Sequence, residues 1–195
     1  MKKLIIIAFI LIGAISCTND FSEWNVDPKK ATEVPANTLF SNAERNLVRT
    51  IKSQNVNSNI FNFMAQYWTA TTYPDEANYD LGSRDVSGGF WDALYTGVLI
   101  DLQESSRVLN AKTATLPAGL LPKNQNQLAV VSILEVYTYH VLVDVFGDVP
   151  FTGALDIDNS SPKYDDDTAI YAALFVQLDA AIANLDTSAD SFGSA

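Results

Sequence analysis

The segment 128–146, LAVVSILEVYTYHVLVDVF, is apolar on nearly every side, with only Ser132, Glu135, Thr138, His140 and Asp144 interrupting it. A surface helix carries a single apolar stripe, whereas a helix apolar all round has to be enclosed by its own domain. The pattern predicts a helix over 124–146 in the middle of the molecule. Gly147 supplies a left-handed stop, and Pro150 keeps the helix from resuming. Whatever else the chain forms must serve as a jacket for this helix.

The flanking segments have the 3.6-residue period that such a jacket needs. After Thr32, Glu33 and Pro35, the residues Leu39, Phe40, Ala43, Leu47 and Ile51 recur on one face. Pro35 in the first turn sacrifices no hydrogen bond. A second helix is predicted to carry Val56, Ile60, Phe63, Met64, Tyr67 and Trp68. A long third one carries Phe90, Trp91, Leu94, Tyr95, Val98, Leu102 and Leu109. The last opens after Asp165, Asp166 and Asp167, whose charges favour a helix N-terminus, and bears Ile170, Tyr171, Leu174, Phe175, Leu178, Ile182 and Leu185. No segment alternates with a period of two, so the fold class is all-α. The third and fourth helices start about 34 residues apart, the tetratricopeptide period, but Trp91 and Leu94 are all that matches that repeat's opening.

The N-terminus concerns location. MKKLIIIAFILIGAISC has a basic start, a short apolar run and small residues before Cys17, the single cysteine of the chain. These are the parts of a secretory signal peptide, and the run falls short of the roughly 20 apolar residues of a membrane-spanning helix. A lone cysteine in an exported chain forms no internal disulfide, so its place at the cleavage point reads as a lipid attachment site. The expected organisation is a lipoprotein signal peptide over 1–16, a polar tether over 17–31 with Phe21, Trp24 and the Asp27–Pro28 turn, and a helical domain over 32–195.

Without residues 1–16, 10 Lys and Arg face 23 Asp and Glu, a formal charge of −13. Such a surface repels nucleic acid and anionic membrane. With one histidine, and the cysteine spent on the anchor, the chain has little from which to build a zinc site or a cysteine nucleophile. No cofactor is expected. Asp156, Asp158, Ser160 and Asp167 have calcium-loop spacing, but Ser161 stands where the loop glycine belongs and Asp167 where a bidentate glutamate belongs. His140 and Asp144 are four apart on one helix and suit a buried, structurally satisfied pair better than a catalytic one. Asp148 is expected to hold its own turn.

Three segments together resemble the SusD/RagB family of Bacteroidetes outer-membrane lipoproteins, in particular its SusD-like branch. They are CTNDFSEWNVDP with TEVP close behind, NQLAVVSILEVY leading into LVDVFGDVPF, and PKYD followed by AIYAAL and LDAAIANLD. The resemblance implies a tetratricopeptide-like SusD-type scaffold, incomplete at the C-terminus because family members are usually more than twice as long. DTSADSFGSA accordingly reads as a linker to a following segment. It further implies a non-catalytic, cell-surface protein at the outer membrane that works with a TonB-dependent SusC-like transporter and binds glycans, less often peptides.

Aromatic residues at helical spacing, among them Phe63, Trp91, Tyr95, Tyr137, Tyr171 and Phe175, are expected in the core. Trp68, Tyr73 and Tyr79 differ, because they edge or occupy the irregular stretch 69–85, punctuated by Pro74 and Gly82. The apolar face of a sugar ring stacks on aromatic rings, and its hydroxyls need amide, carboxylate or guanidinium partners. The same stretch supplies Asp75, Glu76, Asn78, Asp80 and Arg84. Trp68, Tyr73, Asp75, Glu76, Tyr79 and Arg84 are therefore the candidate ligand-binding residues, against the alternative that a packed loop uses its aromatics for its own core.

Overall fold

The computed structural model of the chain describes residues 33–53 and 60–193. The signal peptide over 1–16, Cys17, the tether over 17–31 and Val56 lie outside the described residues. The chain divides into two units, Met1–Val34 and Pro35–Ala195, and all elements below belong to the second.

Helix α1 is Ala36–Lys52. Pro35 stands just before it, its carbonyl accepting from the amides of Thr38 and Leu39. Ala36, Phe40, Ala43 and Leu47 form its buried stripe. Helix α2 is the single turn Phe61–Met64, shorter than the predicted second helix. Gln66 adopts a left-handed backbone (φ 58°) and the chain turns away. The amides of Tyr67 and Trp68 then both close onto the Asn62 carbonyl, leaving Tyr67 in solvent.

The predicted third helix forms as α3, Val86–Leu94, a π-helical turn over Tyr95–Leu99, and α4, Ile100–Thr113. Asp85 caps it, accepting from the Gly88 amide. Helix α5, Leu121–Phe146, is the apolar helix, and Gly147 ends it with φ +73°. Helix α6 is Asp167–Ala183, capped by the Asp166 carboxylate on the Ala169 amide. Among the described residues there is no strand, only an isolated bridge between Val149 and Asp165.

Packing follows chain order: α1 on α4, α4 on α5, α5 on α6. The core lies between them and contains Leu47, Leu94, Leu99, Leu102, Val131, Leu142 and Ile170. Helix α5 has the length and composition to cross a membrane, but its sides are taken by α4 and α6. It is not enclosed all round. Val131, Val136, Tyr139, Leu142 and Val143 are buried, while Tyr137, His140 and Val145 face solvent. Two expected core aromatics are thus outside it, since Tyr137 is exposed and Phe175 of α6 is 66% exposed. His140 is likewise a surface residue.

The GDVP segment after α5 is built for structure. Val149 is fully buried, and the Tyr95 hydroxyl, its pKa raised by burial, donates to the Pro150 carbonyl (2.6 Å). Asp165 accepts from the amides of Phe151 and Thr152 and from the Thr152 hydroxyl, and these bonds, the Thr152 amide foremost, hold its carboxyl below the usual range. Asp148 holds the start of α6, accepting from the Asp167 amide, rather than its own turn. After α6, residues 186–192 fold back on the body. Buried Asn126 donates to the carbonyls of Asp186 and Ala189 and accepts from the Asp186 amide. Phe192 stacks on Phe40 at 4.1 Å.

Candidate functional site

The stretch 65–85 has no regular secondary structure beyond a short 3₁₀ turn, Glu76–Asn78, so side chains inside it keep it ordered. Glu76 is its pin. The residue is 4% exposed, and Arg84 donates to its Oε1 from Nε at 2.6 Å and also from Nη2. A carboxylate buried this deeply requires its cation, because removing one partner leaves an uncompensated charge in a poorly solvated place. Asp75 accepts from the Ser83 hydroxyl (2.7 Å), and its carbonyl takes the Asp80 amide (2.8 Å). The Tyr79 hydroxyl donates to the Met64 carbonyl (2.9 Å), tying the loop to α2.

Gln66, Tyr73 and Tyr79 all have left-handed backbones, with φ of 58°, 57° and 62°. Such conformations cost non-glycine residues about 1–3 kcal/mol each and cluster at ligand clamps and switch regions. Next to the loop is a cavity of about 450 Å³ bounded by α2, the segment 81–90 and the end of α5. Its floor is aromatic, with Phe61 edge-on to Phe90 at 5.5 Å and Phe146 beyond. Arg84 and Asp144 supply its charged rim.

The six candidate residues are therefore neighbours in one loop, with unequal freedom. Tyr73 is 82% exposed and makes no hydrogen bond or ring contact among the described residues. Tyr79 is half exposed but tethered by its hydroxyl, and Trp68 is half-buried, edge-on to Phe63 at 6.1 Å. Glu76 and Arg84 brace the loop. Sequence reasoning missed the apolar cavity wall of Phe61, Met64, Leu81 and Val145, because periodicity assigned Met64 to a helix stripe and gave the others no distinguishing mark.

Elsewhere the geometry favours structural roles. His140 Nε2 is 3.4 Å from Asp144, whose other oxygen takes the Tyr171 hydroxyl, a bond that raises the tyrosine's pKa. No serine or cysteine nucleophile joins them among the described residues. Exposed Asp148, Asp166 and Asp167 bring carboxylate oxygens within 4.8 Å of one another. Asp148 and Asp166 already accept backbone amides at the start of α6, so the trio acts as a helix cap. In the calcium-like loop, Asp156 accepts from the Asp158 amide and Asn159 donates to the Gly153 carbonyl.

A family model described as SusD-like, starch-binding associating with outer membrane, matches residues 28–194. The chain belongs to the SusD-like family. The match takes in the whole helical body, including the 65–85 loop and the GDVP segment. Among solved structures, a chitin-binding protein resembles this SusD-like chain with 19% identity and a TM-score of 0.60, over 80% of this chain and 32% of that one. That likeness supports the all-α SusD-like fold, and the chain spans about a third of that structure's length. No curated protein matches.

Proposed function

We propose that this SusD-like chain is a non-catalytic glycan-binding lipoprotein of the outer membrane. It is anchored through Cys17, faces the cell surface and works with a TonB-dependent SusC-like transporter. The observation that carries the binding reading is the 65–85 loop, where Tyr73 stands free in solvent on a strained backbone held by the Glu76–Arg84 brace. Rigid support beneath an exposed aromatic ring is what stacking on a sugar face requires. The family's description as starch-binding and the fold shared with a chitin-binding protein agree with it. A catalytic reading has no nucleophile–base pair to rest on among the described residues.

The test is the affinity of the protein for starch and chitin oligosaccharides. A stacking contact contributes about 0.5–1.5 kcal/mol beyond burial, so Tyr73→Ala should weaken binding about 2- to 12-fold with an unchanged melting temperature. Tyr79→Ala, which also cuts the tie to Met64, should lower both. Full affinity in both variants would remove the loop as the binding site.

A second reading, a helical-repeat adaptor for another envelope protein, is favoured by one observation. Helix α6 leaves Phe175 in solvent next to exposed Tyr137 of α5, in an apolar groove with Ile133, Leu174 and Leu178, a surface of the kind that protein partners cover. Charging this face with Phe175→Lys should leave glycan affinity intact under the first reading and abolish partner retention under the second.

A further inference from the structure

On a different face of α5 from Tyr137, a cleft of about 470 Å³ opens between α4, α5 and α6, within the size range of small-ligand sites. Small side chains create the space: Ala129 on α5, and Ala180 and Ala181 on α6. Its walls mix apolar and polar side chains, with Leu128 beside the alanines. Ser106 and Asn110 come from α4, Gln125 and Glu135 from α5, and Gln177 and Asn184 from α6. Gln177 donates to Ser132 (3.0 Å) and to one oxygen of Glu135 (3.1 Å). The other Glu135 oxygen and the side chains of Ser106, Asn110, Gln125 and Asn184 make no hydrogen bond among the described residues. Burial pushes the Glu135 carboxyl up to about 7, against the opposing pull of its Gln177 bond. Asn110, Gln125 and Asn184 are exposed, so three helices present hydrogen-bonding groups that meet solvent along one open groove.

We propose that this cleft binds a neutral polyhydroxyl ligand, a saccharide, through hydrogen bonds alone. The lining has no Lys, Arg or His to meet an anion and no aromatic ring on which to stack. Amides, hydroxyls and a single carboxyl offer both donors and acceptors, which is what a row of sugar hydroxyls uses. The choice of a saccharide over another polyol rests on the glycan reading above, but the site is separate from the 65–85 loop and uses different physics.

The experiment titrates the full chain with triacetylchitotriose and, in parallel, maltotriose, following the side-chain amide NMR signals of Asn110, Gln125, Gln177 and Asn184. The expected result is a saturable shift of these signals that persists in Tyr73→Ala and weakens about threefold or more in Asn110→Ala. Asn110 is exposed and has no hydrogen bond to lose, so its removal leaves the fold intact; Gln177→Ala, which also releases Glu135, provides a second variant. Cleft signals that stay still while the loop signals move would overturn this proposal and leave the loop reading standing. Cleft signals that move, with Tyr73→Ala and Tyr79→Ala both binding normally, would sustain it and remove the loop. Equal shifts in parent and Asn110→Ala would also overturn it.

Discussion

Gly147 closes α5 with φ +73° and ψ −122°, a combination that a side chain makes costly. Gly147→Ala should therefore destabilise the fold by about 1–3 kcal/mol, with a drop of about 2–4 °C in melting temperature per kcal/mol. The stop was legible because glycine followed by proline after a long apolar run has few other meanings. Glu135 was not legible as a perturbed group. It read as one of five interruptions in an apolar helix, and only the burial around it raises its carboxyl from 4.5 to about 7. The folded chain then holds more protons than the unfolded one between those values, so its stability falls as pH rises from about 4.5 to about 7. Glu135→Gln should melt with the parent at pH 4 and above it at pH 8. The same gap at both values would contradict this origin. Asp165 has the opposite sign. Its carboxyl is held low by the Thr152 amide first, so what it adds is present above the ordinary carboxylate range and is lost as pH falls through its lowered value.

At the scale of elements, α6 marks how far periodicity can be trusted. Leu174 and Phe175 both belong to its apolar stripe, yet one is 3% and the other 66% exposed. A stripe wider than the seat that α5 provides has to leave one edge in water. Leu174→Ala should cost about 2–5 kcal/mol through lost transfer energy and the cavity left behind. Phe175→Ser should leave the melting temperature nearly unchanged. Thermal melts of the pair check both expectations, and a large loss from Phe175→Ser would mean that its ring is covered in solution. The second helix illustrates the opposite error. Ile60, Phe63, Met64 and Tyr67 have helical spacing, but left-handed Gln66 ends the helix after one turn and frees the following residues to form the loop. Propensity gave no warning, since glutamine is a good helix former; the turn is stabilised by bonds to the Asn62 carbonyl and by the loop's own brace.

Across the whole molecule, the charge of −13 without residues 1–16 disfavours attachment to an anionic membrane through the protein surface, which agrees with the proposed lipid anchor at Cys17. Cys17→Ala should move the protein from the membrane to the soluble fraction, and membrane retention without incorporated lipid would refute the anchor. By itself the sequence determined the all-α class, the order of the main helices and their boundaries near Gly147 and Asp166, and the family. Each of these depends on local signals, a 3.6-residue period, a cap or a stop, that neighbouring residues carry in full. Only the tertiary structure decided which parts of an apolar helix are covered, that Glu76 is spent on Arg84 while Tyr73 stays free, and that α4, α5 and α6 border an open cleft lined by both polar and apolar side chains. Burial and pairing depend on which residues from distant segments come to lie opposite one another. A residue such as Glu135 meets Gln177 across 42 positions of chain, a distance over which local pattern carries no information.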